Sequence, residues 1–389
     1  MLGGAMLAAC SHAAGPSPLP AAFAAPSALH PSAGSFKSIY SFKGLPDGMS
    51  PSAGLAVLGS TLYGTTQTGG QGDSGAVFAT STAGKEHVIY SFGSGGGPDG
   101  VFPAAALVVF GGTLYGTTAN GGVGFGTVFK IGKSGSEHVL YSFKGGKDGD
   151  SPYASLVADN GALYGTTLDG GGSTNCVRGC GTVFAVTTAG KEHVVYSFKG
   201  GKDGTGPSGS LVVVGSALYG TTASGGKNGV GIIFKTSPSG GEQVLYSFGT
   251  GSEDGGEPEA GLIKVGPKLY GTTNNGGKNF DGTVFETTLG GNEHVLYNFK
   301  GGSDGENPEA SLIEVKGELY GTTAGGGPAN LGTIFAVSKS GSEHVIHAFK
   351  SMPEGSDPRA PLIAVGGMLY GTTSLGGANS VGTIFRAPP

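Results

Sequence analysis

"LYGTTANGGVGFGTVFKIGKSGSEHVLYSFKGGKDGDSP", Leu114 to Pro152, decides the fold because the chain repeats it. Its opening pentapeptide, Leu-Tyr-Gly-Thr-Thr, begins at Leu62, Leu114, Leu163, Leu218, Leu269, Leu319 and Leu369, about 50 residues apart, a spacing that marks a repeat architecture. Three further signatures keep step with it. A Gly-x-[Val/Ile]-Phe run ends at Phe78, Phe129, Phe184, Phe234, Phe285, Phe335 and Phe385. An aromatic strand end, Tyr-Ser-Phe or a variant of it, finishes at Phe42, Phe92, Phe143, Phe198, Phe248, Phe299 and Phe349. An [Asp/Glu]-Gly-x-x-Pro turn starts at Asp47, Asp99, Asp148, Asp203, Asp254, Asp304 and Glu354. Every signature therefore has seven copies.

Within one period the apolar runs are short, β-branched and aromatic, and Gly, Asp, Asn and Pro separate them, which is the pattern of strands joined by turns. No stretch sustains a helical period. In the second repeat four strands are expected: Ala104 to Phe110, Thr113 to Thr118, Gly126 to Ile131 and Glu137 to Phe143. The 81 glycines then serve tight turns, three within each unit and one between units. Four strands in each of seven units describe an all-β, seven-bladed β-propeller of antiparallel strands. The ends match that closure. "FKSIYSF", Phe36 to Phe42, is a fourth strand without its first three, and the seventh unit stops after its third strand at Phe385. The N-terminal strand is expected to complete the last blade, whereas an open solenoid would need polar caps.

These residues carry a resemblance. "LYGTTxxGG", then "GTVF", then a strand ending "LYSF" and a "DGxxP" turn, resembles the Gloeo/Verruco (GloVer) tandem-repeat family of "choice-of-anchor" bacterial proteins, over Phe36 to Phe385. One departure is "EHV", which opens the fourth strand in most copies where a more variable polar start is the family's habit. The resemblance implies a bacterial surface or secreted propeller with interchangeable anchoring signals. It implies no particular activity.

The organisation expected is a short signal remnant over residues 1–10, a tether over 11–35 and the propeller over 36–389. "MLGGAMLAAC" ends in Leu7-Ala8-Ala9-Cys10, which looks like a bacterial lipobox, with cleavage before Cys10 and a lipid on its thiol. The basic start and longer apolar core of a secretory signal are missing, as they would be if the start codon were placed too late. Residues 11–35 are rich in Ala, Pro and Ser, the composition of a disordered linker. No later segment has the length of a membrane-spanning helix, so the only membrane contact expected is the anchor at Cys10. The location expected is extracytoplasmic: the bacterial surface or periplasm, lipid-anchored or otherwise secreted, as a monomer.

Cys176 and Cys180 lie three residues apart in the longest of the loops between second and third strands. In an oxidising compartment they are expected to form a local disulfide. Zinc would want four ligands, and only two thiols are here with no histidine near; the redox spacing Cys-x-x-Cys is absent as well. His87, His138, His193, His294 and His344 occupy one register in five copies, too far apart around a ring to meet at one metal. Each is expected to bond a neighbouring strand or turn. Glu86, Glu137, Glu192, Glu242, Glu293 and Glu343 precede that register and are read in the same way, and His347, in place of a tyrosine, is read as a solitary packing change.

The [Asp/Glu]-Gly-x-x-Pro turns fall on one face with the loops between second and third strands, where most differences among repeats collect and where a rigid scaffold places binding groups. The last three turns are acidic: Glu253, Asp254, Glu257 and Glu259, then Asp304, Glu306 and Glu309, then Glu354 and Asp357. Phe102, Phe125, Tyr153 and Phe280 stand in or beside these loops. That sector suits a glycan, a cationic peptide or calcium, and equally an ordinary solvated surface; a calcium site would need six or more oxygens at one point. Lys264 and Glu314, at equivalent places on adjacent inner strands, are expected to pair across the ring. Nucleic acid is not an expected partner, since the chain has a net charge of −5 and no basic stripe.

No cofactor is expected, and no nucleophile elbow, zinc-protease helix or phosphate loop occurs. The leading functional reading is a non-catalytic, surface-anchored module for a glycan, peptide or envelope component. The alternatives are an extracellular hydrolase or lyase acting on polysaccharide and a purely structural surface protein. Symmetry separates them: a hydrolase holds two carboxylates roughly 5 to 10 Å apart at one place, and such a pair must break the repeat.

Overall fold

A computed structural model describes residues 35–94, 99–350 and 352–389, all as strands, turns and loops apart from a single short turn of 3₁₀ helix at Gly201–Asp203. Seven four-stranded antiparallel sheets form the blades of a β-propeller. Blade 1 runs through Ala56–Leu58, Thr61–Thr66, Ala76–Thr80 and Glu86–Ser91, from axis to rim. Blades 2 to 6 repeat this order. Blade 7 takes its outer strand, Lys37–Ser41, from the other end of the chain, with Lys37 opposite Arg386 and Ser41 opposite Thr383. Among the described residues no helix is long and apolar enough to cross a membrane. Cys10 and the tether over 11–35 lie outside the described residues, save residue 35.

The repeat's residue types follow from how blades stack. The phenylalanine ending each outer strand wedges edge-on against the third-strand phenylalanine of the next blade: Phe42 on Phe78, Phe92 on Phe129 and so on to Phe349 on Phe385, with ring centroids 4.9 to 5.3 Å apart. Such edge-to-face pairs each contribute about 0.5–1.5 kcal/mol beyond burial. Phe78 also explains the glycine of Leu-Tyr-Gly-Thr-Thr. A Cβ on Gly64 would lie 2.4 Å from Phe78 Cζ, so only glycine lets the ring pass over the second strand.

The threonines of that motif hold the blades around the axis. Thr65 Oγ1 donates to the carbonyl of Ala105 in the next blade at 3.1 Å, and matching bonds continue through Thr117, Thr166, Thr221, Thr272 and Thr322. Thr372 donates to Ala53 at 3.0 Å and closes the circle. These bonds also explain why the inner strands are shorter than expected. In blade 2 the strand is Val108–Phe110, not Ala104 to Phe110: Ala104 to Leu107 lie at the axis outside the ladder, where the Ala105 carbonyl accepts from Thr65 Oγ1 and the Ala106 amide donates to Ser155 Oγ.

The turns and long loops share a face, as the alternation of strand direction requires. In blades 1, 2, 3 and 5 they also pair as small two-stranded ribbons, such as Gly48 opposite Gly69 and Gly255 opposite Gly276.

Candidate functional site

The aspartate that opens each turn is occupied within the fold. Asp47 accepts from Tyr40 Oη at 2.7 Å, from the Lys43 amide at 3.0 Å and from the Gly48 amide at 2.8 Å. Asp99, Asp148, Asp203, Asp254 and Asp304 receive the tyrosine of their own outer strand in the same way, at 2.7 to 2.9 Å. Asp254 and Asp304, expected as ligand groups, are therefore turn-forming residues.

A second carboxyl joins each of these pairs. Glu86, Glu137, Glu192, Glu242, Glu293 and Glu343, on the outer strand of the following blade, each leave Oε1 buried without a hydrogen-bond partner. Burial, with the neighbouring aspartate adding repulsion, raises these carboxyls to about 7 for Glu86, Glu137, Glu192 and Glu293, and to about 8 for Glu242 and Glu343. The histidines beside them do not take the expected bonds. His87, His138, His193, His294 and His344 are exposed, because the next residue along an edge strand points the opposite way.

The seventh junction replaces all three members at once. His347 stands for tyrosine, Glu354 for aspartate and Phe36 for glutamate, so His347 is not the solitary change that the sequence suggests. Its Nε2 lies 3.2 Å from Glu354 Oε2, and its ring stacks on Phe36 with centroids 3.6 Å apart. Burial pulls the imidazole below its ordinary value, against the pull of Glu354.

The other acidic residues divide by place. The residue after each turn proline is, in blade order, Ser52, Ala104, Tyr153, Ser208, Glu259, Glu309 and Arg359; the first six line a cavity at the axis, and Arg359 reaches it through Glu309. That cavity, of about 130 Å³, is also ringed by residues of all seven blades, among them Ala53, Ala105, Ala154, Gly209, Ala260, Ala310 and Pro361. Three consecutive blades thus bring two carboxyls and a guanidinium to one mouth. Arg359 Nη1 meets Glu309 Oε2 at 2.6 Å, and its Nε meets Asp357 Oδ1 at 2.7 Å. Burial and the nearby Glu257 hold the Glu259 carboxyl above the ordinary range, and burial does the same at Glu309 although Arg359 opposes it.

Glu259, Glu309 and Asp357 are therefore brought together, with Arg359 as a member that the sequence reading missed. Its signal was legible: it shares the register of Glu259 and Glu309. Glu257 stands apart, bonded to Asn275 Nδ2 at 2.8 Å. Glu306 is bridged through its backbone to Gly325. Lys264 and Glu314 do not pair: both are exposed, and Glu314 Oε1 accepts from the amide of Gly317 at 2.6 Å. The nearest thing to that expected pair is Lys268 with Glu286, within blade 5. Among the described residues no three His, Cys, Asp or Glu side chains are placed to hold a metal ion.

Across the face, Cys176 and Cys180 form a disulfide, S–S 2.05 Å, that closes the long loop of blade 3. Arg178 at its tip meets Asp150 at 2.7 Å and Asp169 at 3.3 Å, tying the loop to the turn and to its own ribbon.

The Gloeobacter/Verrucomicrobia repeat profile matches residues 27–177 and 173–385, and the chain belongs to that family. No curated protein matches it. Among solved structures it is similar to a protein provisionally named a gluconolactonase, at 11% identity and a TM-score of 0.51 over 92% of this chain and 93% of that one. A puromycin hydrolase mutant gives 13% identity and a TM-score of 0.52, over 82% of this chain and 49% of that one. A gluconolactonase from Xanthomonas campestris gives 13% identity and a TM-score of 0.42, over 71% and 82%. At these identities the first two likenesses concern the fold alone.

Proposed function

We propose that this member of the Gloeobacter/Verrucomicrobia repeat family is a non-catalytic binding module, held at the bacterial envelope by a lipid on Cys10. We propose further that it takes a cationic end group of an envelope peptide or glycan at the axial mouth. The observation that carries the reading is the break in symmetry. Of seven equivalent positions around the axis, three neighbouring ones carry Glu259, Glu309 and Arg359, while the other four carry Ser, Ala, Tyr and Ser. Three carboxyls, with Asp357, face one guanidinium there, so the mouth favours positive charge. Its size selects too. A cavity of about 130 Å³ is smaller than the roughly 150 Å³ that holds benzene. An amine or guanidine group is small enough to enter it.

The test is a screen of the purified protein against immobilised cell-wall fragments and glycans, with calcium and with chelator. Glu259→Gln together with Glu309→Gln weakens the captured ligand by about tenfold or more. A ligand held equally well by the double variant removes the mouth from consideration.

One observation favours the competing reading, a polysaccharide hydrolase. Glu259 and Glu309 are adjacent carboxyls held above their ordinary range, which is the condition a general acid needs. Release of reducing ends from an envelope polymer, abolished by either single Glu→Gln change, would establish that reading over the first.

A further inference from the structure

A second recess on the loop face lies between blades 4 and 5. It has a volume of about 410 Å³, within the range of small-molecule sites, roughly 300 to 1,000 Å³. Val230, Asp254, Gly256, Glu257, Asn275 and Phe280 line it. Three departures from the repeat coincide there.

The first is a missing side chain. The residue two after the turn aspartate is Met49, Val101, Asp150, Thr205, Glu306 or Ser356 in the other blades, and Gly256 in blade 5. Its backbone does not ask for glycine, since its φ is not positive. A Cβ added there would stand 3.3 Å from Val230 Cβ, so any side chain would begin to fill the recess.

The second is Phe280. Its φ is +66°, at a loop position where the other blades carry Asp73, Gly124, Gly179, Gly229, Asn330 and Ser380, all with positive φ. Those residue types tolerate the left-handed region; a bulky aromatic is an outlier in it. Phe280 is also 75% exposed, so neither its backbone nor its burial accounts for it.

The third is a set of polar groups at the same place. Glu257 Oε2 accepts from Asn275 Nδ2 at 2.8 Å, a carboxylate and amide held side by side. Asp254 Oδ1 is buried with no partner, whereas Asp47, Asp99 and Asp148 give the matching oxygen to the next glycine amide at 2.8 Å.

We infer that this recess is a saccharide subsite, in which one pyranose ring lays its C–H face on Phe280 and gives hydroxyls to Glu257 and Asn275. The chemistry matches on both sides. A pyranose offers a face of weakly positive C–H groups to the negative face of an aromatic ring, and its equatorial hydroxyls both donate and accept. A carboxylate beside an amide supplies an acceptor and a donor at adjacent points. The subsite is separate from the axial mouth and does not depend on the function proposed there.

The experiment is saturation-transfer NMR on the full chain with the methyl glycosides of glucose, galactose, mannose and N-acetylglucosamine and their β-linked disaccharides. Transfer is expected to at least one of these probes. It weakens by about tenfold or more in Gly256→Val, which fills the recess, and in Phe280→Asn, which restores the residue type of blade 6. Phe280→Asn also relieves the backbone, so the variant folds at least as well as the parent, and loss of transfer in it reports the ring alone. Glu309→Gln leaves transfer unchanged, which separates this site from the mouth. Absence of transfer to every probe overturns the inference, and so does transfer that persists undiminished in Phe280→Asn.

Discussion

Tyr40, Asp47 and Glu86 show how far a single residue's role can be read from its neighbours in sequence. The tyrosine and aspartate are seven apart, and the turn motif announces the aspartate. The glutamate belongs to the next blade, so its convergence on the pair is visible only once the blades are stacked. The histidines depart from expectation for a different reason. Their register was plain, but which of two adjacent edge-strand residues points inward is a matter of phase. The six glutamates carry a pH prediction. Their folded values, about 7 to 8, are raised above the usual 4.5, so the stability they favour is complete below about 4.5 and is lost as pH rises through 7 to 8. Each faces a tyrosine and an aspartate of the preceding junction, with Lys43, Lys144, Lys199 and Lys300 beside four of them. The thermal midpoint is therefore expected to fall between pH 5 and pH 9, and Glu→Gln at all six positions to flatten that slope. A parent protein as stable at pH 9 as at pH 5 would contradict the assignment.

At the scale of elements, strand number, order and the face shared by turns and loops were all legible, because hydrophobic spacing and turn residues report them directly. Inner-strand length was not: Ala104 to Leu107 look like strand, and only the geometry of the axis denies them a ladder. The acidic turns were legible as a group but not as sites. Asp254 and Asp304 belong to their own turns, while Glu259, Glu309 and Asp357 meet an arginine from a third blade. The blade 3 loop illustrates a local device. Closing a loop of about five residues is worth at most about 2 kcal/mol in the chain-entropy account. Cys176→Ser with Cys180→Ser should then leave the global melt nearly unchanged while hydrogen exchange quickens at Gly170, whose amide bonds the Arg178 carbonyl at 2.8 Å. A collapse of the global melt would mean that the loop supports the whole of blade 3.

For the whole molecule, closure rests on one strand borrowed from the far end of the chain. Lys37–Ser41 is the outer strand of blade 7, and Phe42 wedges against Phe78 of blade 1. Deleting residues 36–42 is expected to bare the third strand of blade 7 as an open edge and to abolish cooperative unfolding. A circular-dichroism melt as sharp as the parent's would show that six complete blades suffice. The joint between blades 6 and 7 differs from the others in one further respect. Phe36 and His347 stack there with no buried glutamate, so that joint keeps its grip when the glutamates of the other six ionise. In alkali, then, this ring should part first at one of its six glutamate-bearing joints, leaving the aromatic stack between blades 6 and 7 as the last to open.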